Sequence, residues 1–522
     1  MPVTTRRALS HHSLLLLIAA IITVATTFDL NVIGASAQER QRRPGNAPQG
    51  EQRPAETAPG VLRLLPSDSV TEHTITIGGN KLEYTATAGT LSLYDQSGER
   101  SAAIFYTAYA AKTAGETANR PVTFAFNGGP GAGSAFLHLG LVGPRIVQFG
   151  PNNTDVAAPK LIDNPETWLA FTDLVLIDPV GTGWSRPAKA DGGGPFWSVR
   201  SDAESMAKVI ALYVSQNGRA SSPKYILGES YGGFRAAKVA RALQSQQGIA
   251  ATGIIMLSPL TDGGLIFGGD RSPVGAALRL PSLAAAALEQ SGSFSKEKLA
   301  EAERFASTDY LTTLLGPPPQ GEAARSFYRR LAQLTGLPED VVAKSRGFIR
   351  NSYVKNLRGR EGKVVSPYDI TFAVTDPFPE QDSARNDDPI LDVLVRGYGG
   401  AFAAYAREEL GFKTDITYIL LASDISGKWD WGSGGRGAAS ISDDLRELLA
   451  LQPSFRLLIA HGYSDMVTPY GVSRYVLDHL PPLDHPDRAQ LRVYRGGHMF
   501  YMDAGSRKAF SADASAFYRP VE

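Results

Sequence analysis

The chain has 522 residues, 43% hydrophobic and 20% charged, with 52 basic against 52 acidic side chains. That length can bury a large core, as one big catalytic domain with insertions or at most two domains, and the balanced charge gives no electrostatic case for nucleic acid or an anionic surface as partner. No cysteine is present, which excludes disulfides, thiolate catalysis, cysteine zinc sites and a lipid anchor on cysteine.

Residues 1–37 read as an export signal. Arg6 and Arg7 form a positive n-region, 14–27 an apolar run, and Ala35-Ser36-Ala37 a cleavage site. The apolar run is shorter than the roughly 20 residues of a spanning helix, so no stable membrane anchor is expected after cleavage. The mature protein is expected to be periplasmic or secreted; the paired arginines are compatible with twin-arginine export. Residues 38–62 are rich in Pro, Gly, Gln, Arg and Glu and poor in large apolar side chains, a disordered linker. From 63 to 120, short β-type runs at 73–77, 81–87, 91–94 and 102–108, with turns at 78–80 and 95–98, predict an antiparallel meander leading into a sheet.

Short apolar runs follow at 122–126, 174–177, 225–227, 253–257, 455–460 and 491–494, with helical patterns such as 201–217 and 234–244 between them. Strands buried on both faces and alternating with helices predict a mostly parallel α/β core, over 121–260 and 416–522. Between 261 and 415 helical segments dominate (281–290, 295–305, 310–315, 321–334, 338–345, 390–410). That is too long for a connection, and predicts a helical cap inserted over the C-terminal edge of the sheet.

The run 225–227 ends in Gly228-Glu229-Ser230-Tyr231-Gly232, a G-x-S-x-G match followed by a helical pattern. In an α/β-hydrolase fold this pattern is the nucleophile elbow, where small glycines let strand and helix approach and expose the serine hydroxyl; a chance match in a loop is the alternative. A serine needs a base, itself oriented by a carboxylate, and the chain order in this fold is Ser, acid, His. Of the eight histidines, His11 and His12 lie in the signal, and His73 and His138 precede the serine. His461 sits directly behind a strand, and His479 and His485 flank Leu480-Pro481-Pro482. His498, after the last strand, remains, with Asp465 after the preceding strand as its acid. The oxyanion needs two backbone donors; the N–H of Tyr231 supplies one. The other is expected from Asn127-Gly128-Gly129-Pro130-Gly131, after the run 122–126. A phosphate loop is the rival reading of 128–134, but its G-K-[ST] ending is absent and Pro130 lacks an N–H.

These residues resemble the serine carboxypeptidase family of α/β-hydrolase exopeptidases. Asn127-Gly128-Gly129-Pro130-Gly131 is similar to its N-G-G-P-G loop, and Asp178-Pro179-Val180-Gly181-Thr182-Gly183-Trp184-Ser185 to its D-x-P-V-G-T-G-[FW]-S segment, one residue shorter. Gly228-Glu229-Ser230-Tyr231-Gly232-Gly233 matches its nucleophile motif, while 464–469 and 497–499 look like its acid and histidine loops. The resemblance implies Ser230 as nucleophile, His498 as general base and acid, and Asp465 as its orienter. It implies Gly129 and Tyr231 N–H groups as the oxyanion hole, and Asn127 and Glu229 as binders of the substrate's C-terminal carboxylate, Glu229 being protonated because two buried anions repel. The implied substrate is a peptide or protein C-terminus, with no metal or cofactor. The chain departs from the family pattern at Ala125, where a Trp is usual, and at Leu141, where a second acid is usual. An esterase or acyltransferase on the same scaffold is therefore the alternative expectation. A non-catalytic exported binding protein is a third, whose signature, a lost triad residue, is missing.

Overall fold

The computed structural model describes residues 60–112, 119–150, 159–384 and 388–519. The export signal 1–37, nearly all of the linker 38–62 and residues 113–118 of the expected meander lie outside the described residues. Residues 57–522 form one compact unit.

The chain opens with β1 (Ser69–Ile77), β2 (Asn80–Tyr94) and β3 (Arg100–Ala111), then β4 (Val122–Phe126). A small antiparallel pair, β5 (Arg145–Gln148) and β6 (Lys160–Asp163), precedes β7 (Asp173–Ile177) and the short β8 (Arg186–Pro187). The elbow strand is β9 (Lys224–Glu229), followed by β10 (Gly253–Leu257). A second small pair, β11 (Lys363–Ser366) and β12 (Asp369–Thr375), stands apart from β13 (Arg456–Gly462) and β14 (Ala489–Tyr494).

The main sheet runs β1-β2-β3-β7-β4-β9-β10-β13-β14, with β8 attached to β3. The meander strands pair antiparallel, and β3 is antiparallel to β7. From β7 to β14 every pairing is parallel. These are the strands whose sequences read as continuous apolar runs, and the reason is visible in their surroundings. Ile226, Ile254, Met256, Leu457 and Ile459 enter one core beneath helices Val199–Gln216 and Tyr231–Ala242. Their neighbours Tyr225, Leu227, Ile255, Leu257, Leu458 and Ala460 enter a second core on the opposite face. Successive side chains of β9, β10 and β13 alternate between two buried faces, so the runs 225–227, 253–257 and 457–460 carry no charged side chain, whereas β14 at the sheet edge keeps Gln490 and Arg492.

The long insertion differs from the expectation in two ways. It contains the β11–β12 hairpin as well as helices, and it has its own hydrophobic core, built from Leu280, Leu283, Tyr310, Phe327, Leu331, Tyr353, Val365 and Ile370. Helix Pro389–Glu408, expected within the 261–415 insertion, instead packs Leu394, Tyr398, Phe402 and Tyr405 into the sheet's second core. The boundary follows burial: an amphipathic helix joins whichever apolar surface its stripe can cover, and this one covers the sheet. No helix of the described residues is long and apolar enough to cross a membrane.

Candidate active site

Strand register brings the site together. Phe126 pairs with Gly228, so Asn127 and Glu229, the next residues, leave the sheet side by side. Leu257 pairs with both Glu229 and Ala460, placing the loops after β9, β10 and β13 on one edge. Tyr494 pairs with Gly462, which brings the 495–498 loop beside 463–465.

Ser230 is the one residue of the elbow with φ 60° and ψ −124°. Left-handed backbone of this kind costs a side-chain-bearing residue about 1–3 kcal/mol and persists only where neighbours over-determine it. Here Ser230 N donates to Leu257 O at 2.8 Å, while Gly233 N and Leu260 N donate to Ser230 O at 3.0 and 3.2 Å. The same loop also touches the histidine, since Ser258 Oγ donates to His498 O at 2.8 Å. Ser230 and His498 thus flank one tetrapeptide, 257–260.

His498 is 3% exposed and donates through Nδ1 to Asp465 Oδ2 at 2.8 Å. That bond assigns the proton to Nδ1 and leaves Nε2 as the acceptor. Nε2 has no protein partner. Asp465 is fully buried, yet its oxygens are satisfied: Val467 N and Thr468 N donate to Oδ1 at 2.8 and 3.0 Å, and Thr468 Oγ1 lies 2.8 Å from Oδ2. Burial pulls the His498 pKa down, but the Asp465 charge and hydrogen bond outweigh it, so the net shift is upward. His138 and His461 hydrogen-bond hydroxyl groups in place of a carboxylate. His138 bonds Tyr109 Oη at 2.6 Å and His461 bonds Ser473 Oγ at 2.8 Å, and burial lowers their pKa values to about 3 and about 4.

The β11–β12 turn grips the loops of both Asp465 and His498, a role the sequence did not suggest. His498 N donates to Tyr368 O at 2.6 Å, Met466 N to Pro367 O at 3.1 Å, and Ser464 Oγ to Asp369 Oδ1 at 2.9 Å. The Tyr368 ring stands edge-on to the imidazole at 5.2 Å. The insertion therefore positions the histidine as well as covering it.

Gly129 and Tyr231 lie on the two segments that meet at the elbow. A Cβ placed on Gly128 would stand 2.6 Å from Tyr231 N, so the Gly-rich loop lies directly against the elbow backbone. Arg235, one turn into helix Tyr231–Ala242, is wholly buried and braces that loop from beneath. Its Nη1 donates to Asn127 O at 2.5 Å and its Nε to Asp202 Oδ2 at 2.7 Å, with the guanidinium 5.0 Å from the Tyr231 ring centre.

Asn127 Nδ2 donates to Glu229 Oε2 at 2.7 Å, and Asn127 Oδ1 accepts from Leu137 N at 3.0 Å. Tyr501 Oη donates to the same Glu229 oxygen at 2.9 Å. Burial pushes the Glu229 carboxyl up to about 7, against opposing pulls from His498, Tyr501 and Asn127. Leu141, at the position where the family pattern usually has a second acid, is a buried apolar side chain in the 138–142 turn. The only hint of Tyr501 in the sequence was its place three residues after His498.

The family model described as serine carboxypeptidase matches residues 81–263. Those residues contain the Gly-rich loop and the elbow, but not Asp465 or His498. Among curated proteins none matches. Among solved structures, the prohormone-processing carboxypeptidase Kex1(delta)p of Saccharomyces cerevisiae is similar at 14% identity, over 83% of this chain and 91% of that one, with a TM-score of 0.53. A proline iminopeptidase of Mycobacterium smegmatis is similar at 14% identity, over 86% and 97%, with a TM-score of 0.31. The first of these likenesses shows a shared fold, and with it the α/β-hydrolase arrangement of a largely parallel sheet under an insertion. Over residues 81–263, about a third of its length, the chain is similar to the serine carboxypeptidase family.

Proposed function

We propose that this protein is an exported serine carboxypeptidase that hydrolyses C-terminal peptide bonds through an acyl-enzyme. The observation that carries the reading is the buried Asn127–Glu229 pair, bonded at 2.7 Å, with Glu229 adjacent in sequence to Ser230. A neutral acid beside a carboxamide can hold a carboxylate by two hydrogen bonds, one from each, and nothing about ester hydrolysis alone calls for it. The Glu229 pKa, raised to about 7, supports this, because below that pH the group is a donor.

In the proposed mechanism the substrate's terminal carboxylate docks on Asn127 and Glu229, which sets the scissile carbonyl over Ser230. Ser230 Oγ attacks the carbonyl carbon as its proton passes to His498 Nε2. The Asp465 carboxylate holds the ring and stabilises the imidazolium. The oxyanion takes hydrogen bonds from Gly129 and Tyr231 N–H. His498 then gives its proton to the departing amine, the C–N bond breaks, and the C-terminal amino acid leaves. Water attacks the acyl-enzyme with His498 as base, releasing the shortened peptide and restoring Ser230.

The test uses an N-blocked dipeptide with a free C-terminus and its C-terminal amide, from pH 4 to 8, with Ser230→Ala as control. Release of free amino acid from the acid, favoured at low pH and absent in the control, is the expected result. Serine-dependent hydrolysis of a simple ester without release from the dipeptide would replace this reading with an esterase or acyltransferase.

A further inference from the structure

The environment of Glu229 is lopsided. Both of its protein hydrogen bonds end on Oε2, from Asn127 Nδ2 at 2.7 Å and Tyr501 Oη at 2.9 Å. Among the described residues no hydrogen bond reaches Oε1. An oxygen accepting two donors has both lone pairs engaged, so a proton taken up by Glu229 goes to Oε1. Tyr501 is itself fully buried, on the Phe500–Met502 turn that follows His498, and Glu229 Oε2 is the acceptor its hydroxyl is given. Space for it comes from Gly140: a Cβ there would stand 2.7 Å from Tyr501 Cε2 and 2.9 Å from Tyr398 Oη.

We propose that Tyr501 is the positioning residue of the carboxylate subsite, holding Glu229 by Oε2 so that its proton stands on Oε1, and setting the pH at which the subsite changes from taking a C-terminal carboxylate to taking a neutral C-terminal amide. The inference rests on the carboxypeptidase reading and adds to it. Protonated Glu229 donates to a carboxylate; ionised Glu229 repels one but accepts from an amide N–H. The tyrosine hydroxyl stabilises the ionised form, so it lowers the pH of that change relative to a site without it.

The charged and titratable groups around Glu229 do not blur this assignment. His498 favours its ionised form and Asp465 opposes it. Tyr398 and Tyr368 also face it, but burial raises both phenols, Tyr368 to about 12, so neither titrates over the range of interest. The limbs of a single pH profile belong to the coupled Glu229–His498 pair. A ratio of two substrates that use the same triad cancels His498 and reports the subsite.

The experiment measures kcat/KM for the free-acid dipeptide and for its amide on the same preparation, from pH 4 to 9, in wild type and Tyr501→Phe. The acid-to-amide ratio is expected to fall with rising pH in wild type and to cross unity. In Tyr501→Phe, which keeps the ring and removes the donor, the crossing should move up by about one pH unit, a roughly tenfold higher ratio at pH 7. A merely structural tyrosine would lower both substrates together and leave the crossing fixed, which overturns the proposal. If Tyr501→Phe does not fold, Gly140→Ala, whose methyl presses on the Tyr501 ring, reads the same crossing: an upward move supports the assignment and a fixed crossing overturns it. Should wild type hydrolyse esters but release nothing from the free acid, the carboxypeptidase reading falls and this inference falls with it. A working carboxypeptidase with an unmoved crossing removes Tyr501 alone.

Discussion

A single methyl group at Gly128 should cost most of the catalytic rate. Its Cβ would stand 2.6 Å from both Glu229 O and Tyr231 N and 2.9 Å from Gly232 N, where ordinary contact begins at 3.4 Å. The loop and the elbow must therefore separate by about 3.4 − 2.6 = 0.8 Å. All three neighbours are backbone, so no rotamer change relieves the contact. Gly129 N and Tyr231 N sit on opposite sides of the gap, and donors act on an oxyanion only within a window of about 2.7–3.1 Å. Losing one such donor costs about 10²–10³ in kcat, or roughly 2.7–4 kcal/mol of transition-state stabilisation. The overpacking itself should lower stability by about 1–3 kcal/mol. The assay is kcat and KM on the dipeptide and on an ester, normalised by active-site titration, with thermal unfolding measured alongside. We expect kcat to fall about 100-fold or more on both substrates. Gly400→Ala, in helix Pro389–Glu408 with nothing near its added methyl, should match wild type or gain about 0.5–1 kcal/mol. A Gly128→Ala kcat within threefold of wild type would refute the oxyanion geometry argued here.

Ser230→Ala and His498→Ala should each lower kcat by about 10⁴–10⁶ with the unfolding transition nearly unchanged; activity within tenfold of wild type removes either residue from the mechanism. Asp202→Ala leaves the Arg235 guanidinium buried without its carboxylate, for an expected loss of about 3–5 kcal/mol in chemical denaturation; a loss under about 1 kcal/mol would contradict that. Asp178 accepts from Ser134 N at 2.7 Å but its Oδ2 is buried without a partner, and burial raises its pKa to about 6. A folded value above the unfolded one of about 3.9 means that the folded state holds the extra proton, so this group's contribution is present below about pH 4 and is lost as pH rises through about 6. The melting-temperature advantage of Asp178→Asn over wild type should accordingly widen between pH 4.5 and 7.5, and a constant difference would show that Asp178 does not titrate there.

Local pattern and chain order carried much of this protein. Runs such as 225–227 and 253–257 read as buried parallel strands because both their faces are covered, and that leaves no polar position in the sequence. Ser230, Asp465 and His498 could be proposed as a triad from the sequence because such chemistry needs three residue types in a set order, each just past a strand end, and eight histidines leave few choices. Asn127 and Glu229 came through family resemblance, and the register of β4 on β9 explains why they meet. What tertiary structure alone decided is which distant side chains complete the site. Tyr501 reaches Glu229 across 272 positions, the β11–β12 turn holds His498 from 130 residues upstream, and Arg235 supports Asn127 from below. None of these leaves a periodic or spaced signal, because a hydrogen bond constrains the meeting of two groups in space and not their separation along the chain. Helix Pro389–Glu408 shows the same limit on the apolar side. Its stripe announces that it will be buried, but only the shape of the folded sheet determines against what.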